Sequence, residues 1–158
     1  MFVAQNLAEN DAFWFLRESI SEAQAKEGLN VKHDIACAVS ALPAFHDAAL
    51  AELQSLDVGV RPVLFGHLGD GNLHFNLSAP SAESSKNFLA EHQDQLNEIV
   101  HRHIMQVDGT VSAEHGIGQL KAELLRDISP EPDYKAFQAI KRALDPDNIL
   151  NPGKLVLL

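Results

Sequence analysis

The sequence predicts an α+β fold: an antiparallel sheet with helices packed on one face, followed by a C-terminal helical segment. Two observations carry this prediction. Residues 60–66 and 73–78 read as strands on either side of "LGDG", whose Asp-Gly pair favours a tight hairpin turn. Around that hairpin, apolar residues recur at helical spacing in several segments, and strands mixed with helices in this way suit a sheet covered by helices.

Each element has its own reason. Asn10 or Asp11 is a fitting N-cap, and Phe13, Leu16, Ile20 and Ala23 form the inner stripe of a first helix that Gly28 stops. Residues 31–39, "VKHDIACAV", read as a strand with imperfect alternation. Ser40 and Pro43 then open a second helix that ends at Leu56. After the hairpin, a long amphipathic helix runs from Ala82 to Gln106 with Phe88, Leu89, Leu96, Ile99, Val100 and Ile104 inward. Residues 109–113 are a short strand. A Gly-rich turn at 116–118 leads to helices at 119–126 and 132–144, and the tail from 145 to 158, "DPDNILNPGKLVLL", is rich in turn formers and then apolar. No repeat or low-complexity segment interrupts this order.

Composition narrows the function. A chain of 158 residues fits one domain and is long enough to bury about two thirds of the surface its unfolded form exposes. With 22 acidic against 12 basic residues and a net charge of −10, it offers no phosphate-tracking surface, which excludes nucleic acid as the expected partner. The single cysteine, Cys37 between two alanines, reads as a small buried hydrophobe in a reducing compartment. No apolar run approaches the ~20 residues of a membrane span, and no leader pattern opens the chain. The expectation is a soluble, cytoplasmic protein.

Chemistry concentrates in two motifs. In "GHLGDGNLHFN", a two-residue turn at Asp70-Gly71 sets His67 directly opposite His74 and Phe65 opposite Asn76. Directly opposed side chains share a face with Cβ atoms ~4.5–5.5 Å apart, close enough for two imidazoles to hold one metal ion or to form a hydrogen-bonded structural pair. A three-residue loop breaks that register. In "GTVSAEHGIG", Glu114 offers a carboxylate before Gly116 and Gly118, unless it is an ordinary solvated acid. Two His and one Glu with an open fourth position suit catalytic zinc. His115 points elsewhere in an extended segment, as a candidate base or else as a fourth ligand. His101 and His103, two apart on a helix, diverge and read as surface or packing residues.

The first helix carries Arg17 between Phe13 and Trp14 on the helical wheel, with Ser21 one turn further along. Either its stem packs while its head reaches water or an acid, or it is a fork for a substrate carboxylate with the Ser21 hydroxyl beside it. Lys32 in "VKHD" adds a second cation whose weight comes from the whole constellation.

"GHLGDGNLHFN", "GTVSAEHGIG" and "LDPDNILNPGK" resemble, in order and spacing, the C-terminal half of FAD-linked 2-hydroxyacid dehydrogenases of the vanillyl-alcohol-oxidase type. The resemblance runs from Phe13 to Lys154, and "WFLRES" followed by "VKHD" is similar to the D-2-hydroxyglutarate dehydrogenase branch. It implies a partial ferredoxin-like cap domain in which His67, His74 and Glu114 bind Zn²⁺. It also implies that Arg17, Ser21, Lys32 and Asn76 hold the substrate, with His115 beside the reacting carbon. Ser21 departs from the threonine expected there, which keeps the hydroxyl and loosens its orientation. The implied reaction oxidises a 2-hydroxyacid to the 2-oxoacid: zinc acidifies the hydroxyl, His115 takes its proton, Arg17 and Lys32 neutralise carboxylate charge, and flavin accepts the hydride.

In that family an FAD-binding domain precedes this region, and no segment here offers a Gly-rich phosphate cradle. The expectation is a chain that begins inside the cap and is inactive until an FAD-binding domain or subunit is supplied. A missing cap segment also leaves a sheet edge for a second copy, so a homo-oligomer is expected as well. Two competing readings follow from the residues alone: a metal- or carboxylate-binding module without activity, and a zinc hydrolase.

Overall fold

The computed structural model describes residues 2–158, which form two compact units, one ending at Val111 and one from Ser112 to Leu158. Length alone does not reveal this division. The first unit contains α1 (Leu7–Glu18), α2 (Ile20–Lys26), β1 (Asn30–Val31), β2 (Asp34–Ala36), α3 (Leu42–Ser55), β3 (Arg61–His67), β4 (Asn72–Ser78) and α4 (Ser85–Gln106). The second contains α5 (Ala122–Ile128) and α6 (Glu131–Leu144).

β4 is the centre of the antiparallel sheet, with β3 on one side and β1 and β2 on the other. Asn30↔Ser78, Val31↔Leu77, Asp34↔His74 and Ala36↔Asn72 keep one register, so β1 and β2 are a single strand line interrupted at Lys32 and His33. The Phe75 N–H still donates to the His33 carbonyl across the interruption, at 2.8 Å. The expected strand at 31–39 is thus shorter and broken, and the strand expected at 109–113 reduces to one bridge between Thr110 and Ala36.

Period-two alternation sorts β4 into two faces. Phe75 and Leu77 are fully buried against α3 and α4, and the Phe45 and Phe75 rings meet edge to face with centroids 5.4 Å apart. α4 contributes Phe88, Leu96, Ile99, Val100 and Ile104, on one side of the helix, which is the stripe its sequence predicts; Leu89 is only half-buried. The other face carries Asn72, His74, Asn76 and Ser78. Here α2 contributes Gln24, which accepts from Asn76 Nδ2 at 2.8 Å and lies 3.5 Å from Ser78 Oγ.

The expected single first helix is two. Asn6, not Asn10 or Asp11, caps α1 by accepting the Glu9 N–H, and the chain turns at Ser19, whose hydroxyl donates to the Phe15 carbonyl at 2.7 Å. The inward stripe also fails: α1 buries no residue, Phe13 and Leu16 are exposed, Ala23 is exposed, and the buried residue of α2 is the polar Gln24. The remaining bounds move by a few residues. α3 follows a short 3₁₀ turn at Val39–Ala41, where Ser40 makes no cap, α4 starts at Ser85, α5 at Ala122 and α6 at Glu131. In the second unit the tail is tied back: Asp145 accepts the Ile149 and Leu150 N–H groups, Leu155 N–H reaches the Gly118 carbonyl, and Leu157 N–H reaches the Tyr134 hydroxyl.

Candidate metal and substrate site

The hairpin turn differs from the expected one. His67 pairs with Asn72 and Phe65 with His74, so the loop is Leu68–Gly71, four residues rather than two, and Val63 rather than Phe65 lies opposite Asn76. Gly71 adopts φ +73° there, and its carbonyl accepts the Cys37 N–H at 3.2 Å, which packs the turn against the end of β2. Such a change of two positions preserves side-chain parity. His67 and His74 therefore remain on one face, as diagonal rather than direct neighbours, with ring centroids 6.1 Å apart at 77°.

The same face gathers further groups. Asp34, opposite His74 on β2, is 2% exposed; its Oδ1 lies 3.7 Å from His74 Nδ1 and accepts from Asn72 Nδ2 at 2.8 Å. On the other side of His74 the Phe65 ring lies at 4.9 Å. Arg17 reaches this ring from the last turn of α1: its guanidinium carbon is 5.3 Å from the Phe65 centroid and Nη2 donates to the Gly66 carbonyl at 3.3 Å. Trp14, Arg17, His67 and Asp70 border an open cleft of about 680 Å³. Asn76 lies two residues along from His74 with its amide on Gln24, and the register sets the exposed Lys32 across from it. Ser21 is exposed on α2, beyond the turn at Ser19, rather than one turn along the same helix as Arg17.

Glu114 and His115 stand in the irregular segment that opens the second unit, both exposed and followed by Gly116 at φ +72°. The divergence expected of His101 and His103 is present. His101 packs its ring edge-on against His33 at 5.4 Å, while His103 Nε2 meets Glu52 at 2.7 Å. Cys37 is buried, and burial pushes its thiol pKa up, which suits an inert packing residue.

The donors of the first unit are of the kinds that zinc takes. Two imidazoles on one tetrahedral zinc have centroids about 5 Å apart, given Zn–N bonds of about 2.0–2.1 Å. The observed 6.1 Å is about an ångström longer. Asn72 adds a second sign. Its Nδ2 donates to Asp34 and lies 3.3 Å from the Ile35 carbonyl, which fixes the amide's orientation, and among the described residues its buried Oδ1 has no hydrogen-bond partner. A cation with its bound water satisfies such an acceptor. Sequence reasoning passed over Asp34, Asn72 and His33; the available signal was polar residues placed at every second position of strands that are buried on both faces.

Residues 1–155 match the family described as FAD linked oxidases, C-terminal domain. The chain is 40% identical over 157 residues to a D-2-hydroxyglutarate dehydrogenase of Xanthomonas citri pv. viticola, covering 97% of this chain and 32% of that protein. It is 35% identical over 159 residues to the mitochondrial D-2-hydroxyglutarate dehydrogenase of Arabidopsis thaliana, covering 98% and 26%. With the mitochondrial enzyme of the same description from Rattus norvegicus it shares 37% over 142 residues, covering 89% and 25%. The chain thus spans between a quarter and a third of the length of these relatives. With the match covering nearly its whole length, the chain belongs to the FAD linked oxidase family, in which it corresponds to the C-terminal domain.

Proposed function

We propose that this chain is the metal- and substrate-binding domain of a flavin-dependent D-2-hydroxyacid dehydrogenase, with D-2-hydroxyglutarate the favoured substrate type. One observation supports the reading: His67, His74, Asp34 and Arg17 converge on one face and one end of the sheet, with the two imidazole centroids 6.1 Å apart. In this reading His67, His74 and Glu114 hold zinc. When bound, zinc lowers the pKa of the substrate hydroxyl, and FAD, held by residues beyond these 158, accepts the hydride.

The chain's own residues do the rest. Arg17 presents a planar fork to one carboxylate, and its stacking on Phe65 and bond to Gly66 hold that fork in place before substrate arrives. Lys32 and Asn76 hold the other end of a dicarboxylic acid, and Ser21 adds a hydroxyl. His115 takes the hydroxyl proton at a ring nitrogen. α1 supports a partner domain, because Phe13, Trp14, Phe15 and Leu16 are all exposed on one helix and a flavin-binding domain or subunit would cover them. Among the described residues no helix is long and apolar enough to cross a membrane. The free, buried Cys37 suits a reducing compartment; the cytoplasm is the proposed one, and the names of some relatives give a mitochondrial one.

Metal content per chain, measured after purification without a metal-affinity tag, is the test. Near-stoichiometric zinc in the wild type, lost in both His67→Ala and Glu114→Ala, is the expected result. A wild type that takes up no zinc sinks the metal assignment. A zinc-loaded protein that stays inactive with D-2-hydroxyglutarate, electron acceptor and flavin domain all present leaves a binding module.

A further inference from the structure

We propose that Asp34 is a positioning residue for His74: its carboxylate holds the ring with hydrogen on Nδ1 and so makes Nε2 the acceptor that faces the metal. The buried carboxylate is itself held. Asp34 Oδ1 accepts from Asn72 Nδ2 at 2.8 Å, and the Ile35 carbonyl, 3.3 Å from the same nitrogen, fixes which way that amide points. Asn72 and His74 are i and i+2 on β4, so they share a face, and Asp34 lies directly across from His74. One carboxylate oxygen can thus serve two N–H donors, the Asn72 amide and the His74 ring.

Nδ1 is the ring nitrogen that Asp34 addresses. His74 lies between Asp34 on β2 and Phe65 on β3, with Nδ1 3.7 Å from Asp34 Oδ1 and the Phe65 centroid 4.9 Å away. A nitrogen directed at a buried carboxylate carries its hydrogen, since a lone pair there faces the negative oxygen at short range. At 3.7 Å the pair lies just beyond hydrogen-bond range, so closing by under an ångström makes it a hydrogen bond as the ring is drawn into a coordination sphere. A ligating imidazole whose second nitrogen donates to a carboxylate is the more basic ligand, with its orientation set in advance. The consequence for metal binding rests on the zinc reading above; the tautomer does not.

The two can fail separately. Long-range ¹H–¹⁵N correlation spectra of the metal-free wild-type chain, at a pH where imidazole is neutral, report which nitrogen of His74 is protonated. The expected result is Nδ1–H, with Asp34→Asn moving the ring toward the Nε2–H form and weakening zinc binding about 10- to 100-fold, as loss of such partners generally does. A wild-type His74 protonated on Nε2 overturns the proposal without any variant. Zinc bound through His74 Nδ1 overturns it too, and so does an Asp34→Asn variant that folds with unchanged tautomer and zinc affinity. A wild type that binds no zinc but shows His74 with hydrogen on Nδ1 refutes the zinc reading alone and supports Asp34 as the group that sets the ring.

Discussion

Gly71→Ala tests the link between the turn and the site. A Cβ at Gly71 falls 1.9 Å from the Cys37 carbonyl oxygen, where real contacts stay beyond 3.0 Å, so the turn has to retreat from β2 by more than an ångström. The obstacle is backbone and cannot rotate away. Retaining φ +73° with an alanine costs about 1–2 kcal/mol. Losing the 3.2 Å bond from Cys37 N–H to the Gly71 carbonyl adds about 0.5–1.5 kcal/mol. The expected destabilisation is about 1.5–3.5 kcal/mol, read as a lower urea midpoint by far-UV circular dichroism. Gly69→Ala, in the same loop, is the control: no atom lies within 4 Å of its added Cβ, and its effect stays within about 0.5 kcal/mol. Because Asn72 is the next residue and clamps Asp34, zinc affinity also falls in Gly71→Ala and not in Gly69→Ala. Equal stability of the two alanine variants would refute the packing described for this turn.

Arg17→Ala in the enzyme completed with its flavin domain raises KM for D-2-hydroxyglutarate about 10- to 100-fold, and Arg17→Lys does not restore it, because a lysine lacks the planar fork; steady-state kinetics decide. His33→Leu removes a ring whose Nδ1 donates to the Phe75 carbonyl at 2.8 Å and whose Nε2 meets Asn97 Oδ1 at 2.9 Å. The buried Phe75 carbonyl left without that donor costs about 1–3 kcal/mol, measurable by chemical denaturation. Asp145 is held below the usual carboxylate pKa by Lys141 first, and then by the Leu150 and Ile149 N–H groups. A depressed carboxylate stabilises fully above its unfolded value of about 3.9 and loses that contribution as pH falls through the folded value. Thermal unfolding of Asp145→Asn therefore shows a lower midpoint than wild type at neutral pH and a gap that narrows in strong acid.

Much of the fold was legible because it rests on local periodicity. The α4 stripe from Phe88 to Ile104 and the apolar side of β4 are set by burial at regular intervals, and both are found where the spacing puts them. The first helix departs from its periodicity for an equally physical reason. A stripe of Phe13, Leu16, Ile20 and Ala23 records which residues avoid water, not which surface they meet, and in this unit α1 meets the sheet mainly through the polar Arg17. The turn at Ser19 was invisible because a serine inside an otherwise helical run carries no strong stop signal.

The site was legible to the extent that it depends on parity. A hairpin read with a two-residue loop and found with four keeps every side chain on its predicted face, so His67, His74 and Asn76 stayed together although each direct partner was wrong. Partners matter for chemistry all the same. The shift puts Phe65 rather than His67 across from His74, and it leaves Asp34 on β2 as the charged residue directly opposite that ring. No local pattern announces Asp34, since its meaning depends on a strand forty residues further on. The row it joins does have a signal. Asn72, Asn76 and Ser78 are each at most 5% exposed and alternate with a fully apolar row, and a sheet that buries polar groups on an entire face does so at a cost of about 1–3 kcal/mol for each one left unsatisfied. Such a face is built to meet something polar: Gln24 covers one end of it, and the His67, His74 and Asp34 end is the one to which the proposed function assigns an ion and a carboxylate.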